Sequence, residues 1–342
     1  MTVLLSLNSI HKSIAGQKIL KDLNLQVKEH ELVAVLGSSG SGKTTLLRLI
    51  SGFDSPESGE IEILGSKVFA KNVFVPAEKR RVGFVPQDAA LFPHLSVAGN
   101  IEFSLSDLSA AERQKRVQEL LALVDMVGFE DRLPHQLSGG QRHRVALARA
   151  LAPKPDLILL DEPFSSLDAE LRARLREDVK KVLLTTGTTA ILVTHDQEEA
   201  LSIATRVAIL REGTIAQIGL PKDIYQAPTD VEMATFLGDS VIIEGTVKNG
   251  KIDTQLGQLS PLNQVTEGAK GRVAIRPENF YLQPNPNGDG EVVGRTYFGH
   301  DALIEVKLPG VVIQARANGP FAPEMGMRVT VWVRGQVNFY TS

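Results

Sequence analysis

The chain has 342 residues, no cysteine, and 37 Lys plus Arg against 40 Asp plus Glu, a formal net charge of −3. That length suggests two domains. Balanced charge leaves no global basic excess for holding nucleic acid by counterion release, and the lack of thiols excludes disulfides and thiolate metal sites, as suits a reducing cytoplasm.

No apolar run approaches the roughly 20 residues needed to cross a bilayer, so work at a membrane requires another chain to span it. Met1 to Leu7 is apolar but short, lacks a basic leader and runs into Asn8, His11 and Lys12. It reads as a first strand and not as a signal peptide. Up to Leu36 the text alternates in strand fashion, with Leu23, Leu25 and Val27 on one side and Asn24, Gln26 and Lys28 on the other. Leu32-Val33-Ala34-Val35-Leu36 is solidly apolar, as a strand buried on both faces is.

Directly behind it, Gly37-Ser38-Ser39-Gly40-Ser41-Gly42-Lys43-Thr44 fills the template G-x-x-x-x-G-K-[ST] without substitution, and Thr45 to Ile50 reads as a helix. Glycines let the backbone take positive φ and approach an anion, while successive N–H groups and the helix dipole point inward. The pattern predicts a polyphosphate socket, with Lys43 reaching the β- and γ-phosphates and the Thr44 hydroxyl ligating Mg²⁺.

A short strand pair is expected around Gly59 to Gly65. Gln87 follows the apolar run Val82 to Pro86, and its amide oxygen can reach a metal ion or an attacking water. Ser109 and Glu112 form a capping box that opens a helix with Val117, Leu120, Leu121 and Val124 at helical spacing. Arg113, Lys115 and Arg116 are read as that helix's wet face. Leu137-Ser138-Gly139-Gly140-Gln141 places serine and glycines before another helix, a second anion-binding N-terminus that one nucleotide does not require.

Asp161 and Glu162 end the apolar run Leu157 to Leu160, where open α/β sheets put their ligands. Asp161 suits Mg²⁺ and Glu162 suits a base that polarises water. His195 ends a third buried run from Ala190, placed to donate to a γ-phosphate. After Leu237, short β-like runs (Val241–Val247, Arg272–Ile275, Glu291–Val293, Leu303–Leu308, Val311–Ala317, Val329–Val333) alternate with turns, as in a small all-β barrel or sandwich.

As an ordered set, the Gly37–Thr44 loop, Gln87, Leu137–Gln141 (LSGGQ), Asp161-Glu162, Ser166-Leu167-Asp168 and His195 resemble the nucleotide-binding subunit of ABC transporters, over residues 1–237. The resemblance implies an α/β fold: a phosphate-loop (RecA-like) ATPase core with an antiparallel β flank and a helical insert. In the importer branch a small OB-like β-barrel, regulatory or dimerising, follows, here residues 238–342. Ile275-Arg276-Pro277-Glu278 resembles a recurrent phrase of that barrel.

The family implies a head-to-tail homodimer. Ser138, Gly139, Gly140 and Gln141 of one copy, with Asp168, would close over ATP and Mg²⁺ held by Gly37 to Thr45 of the other. Thr44, Gln87 and Asp161 would be metal ligands, and Glu162, His195 and Gln87 catalytic. Implied partners are an integral-membrane permease and, indirectly, a periplasmic or extracellular binding protein, at the cytoplasmic face of the inner membrane; nucleic acid is not expected.

Asp88 to Val97 resembles the stretch that helps form the permease groove, although core filling by Leu91, Phe92 and Leu95 reads equally well. Within the branch, Lys67-Val68-Phe69, Val75 to Arg81 and Phe236-Leu237-Gly238-Asp239 look closest to ferric-iron import ATP-binding proteins; polyamine, sulfate, thiamine and sugar importers share most of the wording. The binding protein and permease would select the ion, so no iron site is expected here. A soluble ABC switch acting on nucleic acid or ribosomes is the rival class, but neither its long coiled-coil insertion nor its paired ATPase domains are present. Two departures stand out. Arg142-His143-Arg144 follows LSGGQ where glutamines are usual, and Ile14 stands where an aromatic usually stacks on adenine.

Overall fold

The computed structural model describes residues 2–165 and 167–341; Met1, Ser166 and Ser342 lie outside them. It divides into two compact units, Met1–Ile224 and Tyr225–Ser342, a break that falls ahead of the one expected after Leu237. Arg276 explains why the intervening helix Val231–Phe236 belongs with the second unit. Its Nη1 donates to Ala234 O and Gly238 O, both at 2.8 Å, and its guanidinium lies 4.2 Å from the Tyr225 ring centre.

In the first unit, β1 (Val3–Ile14) and β2 (Gln17–Lys28) form a hairpin whose turn residues Ala15 and Gly16 both have positive φ, as a tight two-residue connection demands. Between this hairpin and the rest of the antiparallel flank the chain makes β3 (Leu32–Leu36). Then β4 (Ser58–Ile63), β5 (Ser66–Ala70) and β6 (Val73–Phe74) complete a sheet of order β2-β1-β4-β5-β6. The expected strand pair around Gly59–Gly65 is the β4/β5 hairpin.

The second sheet contains β3, β7 (Val82–Val85), β8 (Leu157–Asp161), β9 (Thr189–Thr194), β10 (Arg206–Arg211) and β11 (Thr214–Gly219), in the order β11-β10-β3-β9-β8-β7. All neighbours are parallel except β11, which runs antiparallel to β10. Every residue of β3, β8 and β9 is buried, in keeping with the apolar runs Leu32–Leu36, Leu157–Leu160 and Ala190–Val193. Alternate side chains supply two cores. Ile158, Leu160 and Leu192 face one, with α3 (Ala110–Leu123), α4 (Gly139–Leu151) and α5 (Ala169–Thr186). Leu157, Leu159 and Val193 face the other, with α1 (Lys43–Ser51) and the hairpin. This unit also contains the short helices α2 (Val97–Glu102) and α6 (Gln197–Ile203).

Helix α3 opens with the predicted Ser109–Glu112 capping box and buries Val117, Leu120 and Leu121. Its basic residues are not simply a wet face. Arg116 turns back to cap the end of α4, donating from Nη2 to Leu151 O (3.0 Å) and from Nε to Ala152 O (3.3 Å), where the last carbonyls of a helix lack partners.

The second unit contains the expected barrel, closed in the order β12-β13-β14-β21-β15 from β12 (Val241–Lys248), β13 (Lys251–Thr254), β14 (Gly257–Pro261), β15 (Lys270–Ile275) and β21 (Gln336–Thr341). Closure depends on Gly271, where an added Cβ would lie 2.0 Å from Tyr340 O on the neighbouring β21. The other five strands form a separate sheet, β16 (Phe280–Pro284), β17 (Gly290–Tyr297), β18 (Asp301–Leu308), β19 (Val311–Asn318) and β20 (Arg328–Val333), in the order β16-β20-β17-β18-β19.

Candidate functional site

Parallel strands bring their carboxyl ends to one edge of the sheet, and this edge assembles the site. Gly37 follows β3, Glu162 follows β8 and His195 follows β9 directly, and Gln87 follows β7 after Pro86. Gly40 and Gly42 take φ values of 78° and 104°, which curl the loop before α1. Gly42 has no room for a side chain, since a Cβ there would lie 2.9 Å from Leu20 Cδ2 and 3.0 Å from Ile19 Cγ2. The hairpin that carries Ile14 therefore packs on the loop, and Ile14 itself is exposed.

Lys43 is buried, and its ammonium donates to Gly37 O and Ser38 O, both at 2.9 Å. Burial lowers its pKa from the usual lysine value, against the raising pull of the Glu162 and Asp161 carboxylates. Thr44 Oγ1 donates to Asp161 Oδ1 at 3.2 Å. Burial raises the Asp161 pKa, partly opposed by that hydrogen bond and by Lys43. Ser41 Oγ is buried without a hydrogen-bond partner among the described residues.

Glu162 lies between two candidate partners, 3.9 Å from Lys43 Nζ and 3.1 Å from His195 Nδ1. Its φ of 43° is a strained setting for a residue with a side chain. Bonds to its backbone hold it there: Glu162 N donates to Val193 O (3.0 Å), and Ser165 donates to Glu162 O from both Oγ (3.0 Å) and N (3.3 Å). Ser165 Oγ also accepts from Gln87 Nε2 at 3.0 Å, which leaves the Gln87 amide oxygen for another partner. Ser165 thus links Gln87 to Glu162. Sequence reasoning passed over it, although it directly follows Asp161–Phe164 at the end of β8.

The turn expected from the sequence to be a second anion site is built differently. Ser138 Oγ accepts from Gln141 N (3.3 Å) and Gln141 Oε1 accepts from Ser138 N (2.9 Å), a reciprocal cap on α4. Gly139 and Gly140 lie against Leu167 and Leu171, where added Cβ atoms would approach to 3.0 and 2.9 Å. Asp168 caps α5, its Oδ1 accepting from Leu171 N. So Lys43, Thr44, Gln87, Asp161, Glu162 and His195 gather at one place, whereas Ser138–Gln141 stands beside the start of α5. Ser166 lies outside the described residues.

Arg142, His143 and Arg144 are all structural ties: Arg142 Nη1 donates to Leu137 O, Arg144 to Val124 O and Asp178, and His143 reaches Gly139 O and Gln87 O. Between Asp88 and Val97 the core-filling reading holds for Leu91, which packs on the core, while Phe92 lies 4.4 Å from the exposed Phe103 ring.

The ABC transporter family model matches residues 20–165 and the TOBE domain model residues 273–338. The Fe(3+) ions import ATP-binding protein FbpC of Pseudomonas fluorescens is 41% identical over 98% of this chain and 97% of its own. The chain belongs to the ABC transporter family. FbpC 2 of Pectobacterium atrosepticum, an Fe(3+) ions import ATP-binding protein, is 47% identical over 82% of this ABC protein and 81% of its own length. Among solved structures, an ATP-binding cassette in a dimeric post-hydrolysis state bound to ADP and Pi has a TM-score of 0.56 and 34% identity, covering 64% of this chain and 99% of that one. The cassette cbiO1 of Clostridium perfringens has a TM-score of 0.60 and 27% identity, covering 66% and 91%. In this ABC chain the cassette match runs from within β2 through the phosphate loop and Leu137–Gln141 to Asp161 and Glu162 at the end of β8, and the TOBE match falls in the barrel unit.

Proposed function

We propose that this ABC ATPase is the motor of a ferric-iron importer, peripheral on the cytoplasmic face of the inner membrane. Two copies would clamp ATP head to tail, and a separate permease, fed by a periplasmic or extracellular binding protein, would carry the ion. The observation that carries the motor reading is the split of the ATP site: the phosphate loop, acids and histidine gather at the sheet edge, while Ser138–Gln141 packs beside Leu167 and Leu171. A second copy supplies the missing half, as an isologous twofold allows. The full-length likeness to Fe(3+) import ATP-binding proteins supports the cargo.

Within each site, Gly37–Thr45 cradle the phosphates and Lys43 pairs with their negative charge. Thr44, Asp161 and the free amide oxygen of Gln87 are hard oxygen donors that fit Mg²⁺, and the buried Asp161 carboxylate gains a cation beside it. Bound there, Mg²⁺ would neutralise charge on the β- and γ-phosphates. Glu162 accepts the proton of the attacking water, and His195, beside it, donates to the γ-phosphate. Loss of that phosphate releases the clamp, and the permease follows.

ATPase rates with permease and Fe³⁺-loaded binding protein, compared with rates on adding nucleic acid, test the reading. Stimulation by the transport components alone is expected; stimulation by nucleic acid alone would replace the importer with a soluble switch. Polyamine-, sulfate-, thiamine- or sugar-loaded binding proteins test the cargo in the same assay. Ile14 gives a further prediction. Ile14→Tyr is expected to strengthen ATP binding by about 1–3 kcal/mol through stacking on the base, and an equilibrium titration with unchanged affinity would remove Ile14 from the base site.

A further inference from the structure

Helix α4 carries two side chains that leave it for the segment after β7. His143, buried, places Nε2 3.1 Å from Gln87 O and Nδ1 3.0 Å from Gly139 O. Six residues on, Arg149 donates from Nη2 to Ala89 O (3.1 Å) and from Nη1 to Ala90 O (2.9 Å). Between these anchors, Ala89 and Ala90 have φ values of 61° and 39°. Alanine stays in that left-handed region only where its surroundings hold it. His143 fixes the start of the segment on α4 and Arg149 fixes its end.

We propose that His143 is a positioning residue that makes Gln87 move with the Ser138–Gln141 turn at the start of α4. This rests on the reading above, in which Gln87 serves the ATP site and the turn closes on ATP held by a second copy. A carbonyl can only accept, and each ring nitrogen of His143 faces one, so a neutral imidazole donates to one of the two; the positioning role requires the tautomer with its proton on Nε2, which donates to Gln87 O. The Gln87 side chain is set independently, by its bond to Ser165. A shift of α4 that seats the signature turn therefore carries the Gln87 backbone with it. The amide oxygen reaches its place only once that turn has closed.

The test uses the full-length chain with His143→Leu, which fills the space without a donor; His143→Met, donor-free but more adaptable should leucine disturb packing; and His143→Gln, which restores an N–H donor. Gln87→Ala and the His143→Leu/Gln87→Ala pair complete the set. The donor-free variants are expected to keep wild-type ATP affinity and melting temperature while kcat falls by about tenfold, a misplacement effect. His143→Gln should recover most of the rate, and the double variant should be no slower than Gln87→Ala, because residues acting through one group are not additive.

Wild-type kcat in both donor-free variants overturns the proposal. So does a glutamine variant as slow as leucine, with losses that track melting temperature, or a double variant whose losses multiply. A Gln87→Ala protein that turns over normally removes Gln87 from the site itself, whereas a slow Gln87→Ala beside a fast His143→Leu removes only the role given to His143.

Discussion

Glu162→Gln is expected to slow single-turnover ATP hydrolysis by about 10²–10⁴-fold, the usual contribution of a positioned general base, while ATP stays bound and a two-copy complex accumulates. The backbone at Glu162 is already constrained, with Glu162 N donating to Val193 O and Ser165 donating to Glu162 O. Glutamine has the same shape, so the left-handed setting at φ 43° costs no more than before. What disappears is the acceptor for a water proton, together with the carboxylate 3.9 Å from Lys43 and 3.1 Å from His195. Rapid-quench measurement of phosphate release, beside light scattering with and without ATP, reads both effects. Wild-type hydrolysis in this variant would show that Glu162 is not the base. A slow variant that stays a single copy with ATP would leave the base in place and remove the clamp.

Lys43→Ala carries the second large expectation, a loss of ATP affinity of about 10- to 100-fold, since a hydrogen bond to a charged group contributes about 1.5–3 kcal/mol and about 1.4 kcal/mol is tenfold. Lys43 is only 5% exposed and donates to two loop carbonyls, at a position where burial already disfavours its charge. A phosphate beside it replaces the solvation that burial removed, so binding favours the charged ammonium. Removing a buried ammonium also removes its desolvation cost, so the melting temperature without nucleotide should change little. Equilibrium titration with a fluorescent ATP analogue checks the first expectation and thermal unfolding the second. Near-wild-type affinity would place the triphosphate elsewhere.

The separation between what could be read early and what could not follows the range of the interactions. Gly37–Thr44 was legible because its chemistry lies in eight consecutive residues, with a buried strand before them and a helix after. Asp161, Glu162 and His195 were legible because unbroken apolar runs mark strands buried on both faces, whose carboxyl ends share one edge. Arg116 was misread as solvated because its carbonyl partners, Leu151 and Ala152, belong to another helix. In the barrel unit, β13 and β14 escaped notice because they are short and carry polar residues such as Asp253 and Gln258. The second sheet could not be told from the barrel, since strand-like alternation says which face is buried and not which neighbour is paired.

The sequence by itself determined the buried core strands, the glycine-rich turn before α1 and the identity of the acids at the sheet edge, because each depends on periodicity, backbone freedom or residues adjacent along the chain. Only the tertiary structure decided that Ser165 joins Gln87 to Glu162 and that His143 and Arg149 fasten the segment after β7 to α4. It also decided that the signature turn packs beside Leu167 and Leu171. These contacts join residues far apart in the chain, and a hydrogen-bonding side chain carries no mark of its partner until packing brings a carbonyl or hydroxyl within about 3 Å of it.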